Sequence, residues 1–308
     1  MSTGLTWNVV DDVRQLLSYH FMVNALRAGT VVAVVAGAVG YFMVLRRQSF
    51  AGHTLAVTGF PGAAAATWLG VNVAFGYFGF CIAGAVVIAA GPMSGRGTAS
   101  PTGYREESAL IGTVQAFALA SGFMFVSLYN GISSGLTSFL FGTITGVTDS
   151  QVLILLAAGA GSLAVLAVLG RPLLFVSLDP AVAGARGLPV RAINAGFLVL
   201  LAVAAAGTSQ VTGSLLVFAL LVAPAATATR LTASPAAGFV LSVLLALAVT
   251  WLGESIAFFS PYPIGFWVTT LAFALFLAAV GGRAIADRRG NRHRANRPAR
   301  SPLAPGLP

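Results

Sequence analysis

A bundle of helices that crosses a membrane repeatedly is the fold class this chain of 308 residues predicts, on three observations. Hydrophobic residues make up 57% of it, charged residues only 8%, and the mean hydropathy is +0.89, whereas a soluble domain carries about a quarter of its residues as charges. Its apolar stretches, such as Val31 to Val39 and Leu163 to Leu169, are continuous, which argues against the alternating segments of a membrane β-barrel. Finally, polar breaks divide the chain into segments of about 20 residues, the helical span of a hydrocarbon core.

Residues 1–21 carry Asp11, Asp12 and Arg14 and lack the apolar centre of a cleavable signal peptide, so the first span must act as its own insertion signal. Spans are then expected over residues 22–45, 51–70, 72–91, 108–128, 151–170, 192–209, 213–229, 237–259 and 264–282, about nine in all. Eight remain possible if residues 51–91 do not make two full crossings. Arginine collects beside alternate span ends: Arg46 and Arg47, then Arg96 and Arg105, then Arg171, Arg186 and Arg191, then Arg230, then the tail. Nine crossings place all of these on one side, which the positive-inside rule makes cytoplasmic. The N-terminus is then outside and the C-terminus inside.

The net charge of +9 is concentrated in the tail, where seven Arg stand against Asp287 from residue 283 onward. Residues 283–308 thus read as a disordered cytoplasmic tail, in contact with anionic headgroups and not with nucleic acid. The many glycines suit close helix approach in lipid, as at Gly37 to Gly40 and Gly159 to Gly161. Cys81 stands alone in the sequence, so neither an internal disulfide nor a cysteine cluster is available.

Ionisable groups inside a membrane are costly and mark function by default. His53 near the start of the second span and Glu254 near the outer end of the eighth are the main candidates, with Thr54 beside His53 offering a hydroxyl. Arg27 and Asp149 lie close enough to span ends to reach the interface. No phosphate-binding loop, dinucleotide fingerprint or catalytic triad can be assembled, so the chain is expected to be no enzyme and to bind no cofactor itself.

Four segments, in order, resemble the permeases of ABC importers for zinc, manganese and iron. They are VLRRQSFAGHTLAVTGFPGAA from Val44, SFLFGTITGVTDSQVLIL from Ser138, LDPAVAGARGLPVRAIN from Leu178, and GTSQVTGSLLVFALLVAPAATATRL from Gly207 to Leu231. The resemblance implies a permease subunit of an inner-membrane importer with several partners: a second permease subunit, preferably another copy of this chain, cytoplasmic ATP-hydrolysing subunits, and an external metal-binding protein. It also implies coupling to the ATPase through a turn at Ala223, Pro224, Arg230 and Leu231, braced by Asp179, Arg186, Gly187 and Pro189. Typical members carry Gly-Asp and then a His four residues later; here His53 follows Gly52 and the later position is Val57. That leaves His53 as the one metal-ligand candidate there. A secondary transporter driven by an ion gradient is the alternative, with Glu254 as its coupling carboxylate.

Overall fold

The structure, a computed structural model, describes residues 9–91, 101–128, 147–214 and 217–295. Its helices are α1 (Val9–Ser18), α2 (His20–Leu45), α3 (Ser49–Leu69), α4 (Val73–Ala90), α5 (Pro101–Leu128), α6 (Asp149–Leu178), α7 (Pro180–Ala185), α8 (Val190–Thr212), α9 (Val217–Leu231), α10 (Pro235–Phe258) and α11 (Ile264–Ala295). No strand occurs among the described residues. Each of the nine expected spans coincides with one helix. The segment from Ser138 falls outside the described residues until Val147.

Among the described residues, seven helices are long and apolar enough to cross a membrane. The other two expected spans fall short for different reasons. At 15 residues, α9 is about 22 Å long, less than a hydrocarbon core. By contrast, α3 has the length but carries His53, Thr54, Thr58 and Pro61, which lower its hydropathy. Most of its side chains are buried by other helices, so protein contacts rather than lipid shelter those polar groups.

The centre of the bundle is α2, which packs against α6, α8, α9 and α10. Its apolar window is 72% buried, against 22% for α5 and α6, which lie at the periphery. Missing side chains permit this crowding. A Cβ at Gly40 would sit 2.1 Å from the Leu221 carbonyl oxygen of α9, and one at Gly37 would sit 2.7 Å from the Val243 Cα of α10. The Ser242 hydroxyl donates to the Gly37 carbonyl at 2.7 Å. Gly159 likewise meets Val31 and Val35, but Gly161 faces open space, so only part of that expected small-residue contact forms.

Helices α3 and α4 form a hairpin. Gly70 adopts φ +69° and Val71 N–H closes back onto the Ala66 carbonyl at 3.0 Å, the left-handed stop that favours glycine. The Asn72 side chain then caps α4 by accepting from Ala74 N–H at 2.9 Å. Leu55 meets Cys81, whose thiol donates to the Leu55 carbonyl at 3.2 Å, and Gly62 meets Gly76, a pairing that runs antiparallel.

Two expectations need correction. Ala223 and Pro224 are not in a turn: they lie inside α9, and the turn comes at residues 232–234. Proline here removes one backbone donor without ending the helix, because lipid-facing and packed neighbours leave the chain no better conformation than helical. The last helix also continues to Ala295, into the segment read as disordered. Arginine and alanine are good helix formers, and a helix already nucleated in the bundle propagates at little cost.

Candidate functional site

On α3, neighbouring polar groups meet different helices, Thr54 facing α5, His53 facing α9 and Thr58 facing α4. The Thr54 hydroxyl, fully buried, donates to Gln115 Oε1 of α5 at 3.0 Å. His53 is half-buried and its ring meets the edge of Phe218 of α9, 5.1 Å between centroids. Its Nδ1 is buried with no hydrogen-bond partner. A buried ring nitrogen without a partner is costly, which makes this atom the natural donor toward a guest. One turn on, the Thr58 hydroxyl donates to the Leu55 carbonyl at 2.7 Å, and Pro61 leaves the Val57 carbonyl without its usual helical donor.

Glu254 lies elsewhere. It is fully buried on α10 and neither carboxylate oxygen has a hydrogen-bond partner. Its carboxyl rests against α2 at Gly29, where a Cβ would come within 2.0 Å of Oε1. A side chain at Gly29 would push the carboxyl aside. Sequence reading offered His53, Thr54 and Glu254 as one set, yet the structure brings together only the first two.

A second polar centre sits where α2 ends. Arg46 donates to Ser177 Oγ of α6 at 3.2 Å, to Gln48 Oε1 at 3.2 Å and to Asn194 Oδ1 of α8, and its guanidinium lies 5.1 Å from the Phe197 ring centre. Burial pushes Arg46 down to about 10, opposed by the nearby Glu107 carboxylate, so the group stays charged at neutral pH. Close by, Asp179 caps α7 by accepting from Ala181 and Val182 N–H at 3.0 Å each. Gly187 turns the chain at φ +81°, Pro189 leads into α8, and Arg186 stacks 5.6 Å from the Phe175 ring centre. Asp179, Arg186, Gly187 and Pro189 are all exposed. Arg230 and Leu231 are exposed at the end of α9, where Arg283 of α11 donates to the Arg230 carbonyl. Pro224 is buried and Ala223 half-buried, so only the end of α9 offers a surface to a partner.

Asn24 and Gln115 escaped the sequence reading, and Arg46 entered it only as a marker of sidedness. Neutral amides in apolar spans were the available signal, since each must find a partner in the bundle. Among the described residues, no three His, Cys, Asp or Glu side chains converge as a metal cluster.

The sequence model of the ABC 3 transport family matches residues 18–282. The chain belongs to the ABC 3 transport family. It is 30% identical over 271 residues to the manganese import system permease protein ScaB of Streptococcus gordonii, covering 88% of this chain and 94% of that one. It is also 30% identical over 218 residues to the manganese transport system membrane protein MntC of Halalkalibacterium halodurans, covering 71% and 72%. Among solved structures, PsaBC from Streptococcus pneumoniae in complex with Fab superposes with a TM-score of 0.76 at 29% identity, over 88% of this chain and 95% of that chain. As an ABC 3 family member, this chain is a multi-pass membrane permease, a transport component.

Proposed function

We propose that this permease carries a divalent first-row metal, manganese foremost, across a bacterial inner membrane, powered by a separate ATP-hydrolysing subunit. It works with a second permease subunit, preferably a copy of itself, and with an external protein that delivers the metal. Helices α2–α6 and α8–α11 all cross the membrane, α3 and the short α9 sheltered by the others, which puts the N-terminus outside and the Arg-marked ends inside. ATP is spent by the partner, and this chain holds no cofactor.

The observation that carries the reading is the unpartnered Nδ1 of His53, buried next to the Thr54–Gln115 pair in a chain whose relatives are named for manganese import. Imidazole and neutral oxygen donors suit passage better than storage, since a path must bind a cation weakly enough to release it. Force enters at the exposed surface of α7 and at the end of α9. There Asp179, Arg186, Gly187 and Pro189 stand beside the bundle's inner end, and Arg230 and Leu231 stand at the next turn, with Ala223 and Pro224 behind them in α9. Two conformations, open to one side and then the other, are biased by the nucleotide state of the partner.

The test is reconstitution of the chain with its ATPase and binding protein in vesicles. Manganese uptake that requires ATP supports the reading. Uptake that persists without the ATPase and collapses with the proton or sodium gradient replaces it with a secondary transporter, for which the buried Glu254 is the only carboxylate among the described span interiors.

A further inference from the structure

At the end of α2 opposite Arg46, three donors from two helices meet. His20 and Asn24 are four residues apart on α2 and so share a face; Asp149 begins α6. His20 Nε2 lies 3.8 Å from Asp149 Oδ1. Asn24 is only 2% exposed. Its Nδ2 donates to Asp149 Oδ1 at 2.9 Å and reaches the Val147 carbonyl at 3.5 Å, while its Oδ1 is buried with no partner at all.

We infer that His20, Asn24 and Asp149 form a binding site for a first-row divalent transition cation at the outer mouth of the permease, separate from the His53 region. This rests on the importer reading, whose cargo it would receive. An imidazole nitrogen and a carboxylate oxygen each about 2.1 Å from one metal ion stand about 3.0 Å apart in a cis arrangement and about 4.2 Å apart in a trans one. The observed separation falls inside that bracket. The amide supplies the third donor. Without a cation its NH2 group faces the carboxylate and stands in for positive charge; a half-turn of the amide presents Oδ1, which a cation between the two oxygens would bind.

Imidazole favours manganese, iron or zinc over magnesium and calcium, which prefer oxygen alone. The side chains of His20 and Asp149 are 76% and 70% exposed, so water completes the coordination and exchange is fast. Such a site receives and passes on a cation; it does not store one.

Equilibrium dialysis of Mn2+ against the purified full chain, compared with His20→Gln and Asp149→Asn, tests the inference. Both changes are at exposed positions, and each is expected to weaken one class of Mn2+ binding at least tenfold while leaving the melting temperature in place; His53→Ala retains that class. Asn24→Asp, which adds a second carboxylate, is expected to tighten it. Unchanged Mn2+ binding in His20→Gln and Asp149→Asn, or no tightening in Asn24→Asp, overturns the site. The importer reading fails separately, if the wild-type complex shows no ATP-dependent Mn2+ uptake whatever dialysis finds.

Discussion

The two ends of α2 carry polar clusters of opposite character. At one end Arg46 is sunk among Ser177, Gln48, Asn194 and the Phe197 ring, with its donors engaged. At the other, His20 and Asp149 face solvent and Asn24 keeps an unpaired oxygen. A saturated cluster fastens helices together; an unsaturated one has capacity left for a guest. The difference separates residues that hold the permease in shape from those proposed to meet its cargo.

The largest expected effect is at the saturated end. Arg46→Ala strands three partners and should destabilise the chain by about 2–4 kcal/mol, since hydrogen bonds to a charged group are the stronger kind. Thermal unfolding in detergent measures it, and a loss below about 1 kcal/mol would break the contrast between the two ends. Next comes Glu254→Met, which removes a buried carboxyl that has no partner. It should raise stability by about 1–3 kcal/mol, and a fall instead would mean that Glu254 is engaged by something outside the single chain. Thr54→Val costs the hydroxyl its bond to Gln115, about 1 kcal/mol, read from the same unfolding curves. His53→Ala should lower ATP-dependent manganese uptake about tenfold, roughly 1.4 kcal/mol in the barrier, while unfolding barely moves. Smallest is His20→Gln, expected within about 0.5 kcal/mol of the parent because the group is exposed; a larger loss would turn the outer cluster into a second fastening.

Helix positions were legible because lipid enforces long apolar runs. His53 and Thr54 stood out for the same reason, as polar residues where polarity is expensive. Glu254 stood out as costly, but nothing in its local sequence told that it faces Gly29, more than two hundred residues earlier. Pro224 misled because proline reads as a break, whereas helix packing carries α9 through it. The partners of Asn24, Thr54 and Arg46 were hidden too. Which helix supplies a partner is a matter of tertiary neighbours, and amides look unremarkable when only charges are counted.

Because α2 touches α9 and α10 backbone to backbone at Gly40 and Gly37, these three rods have no lubricating layer of side chains between them. Sliding one past another would grind main chain on main chain, so they travel as a single block. In the proposed coupling through the tip of α9, a push there would reach α2 and α10 through these backbone contacts.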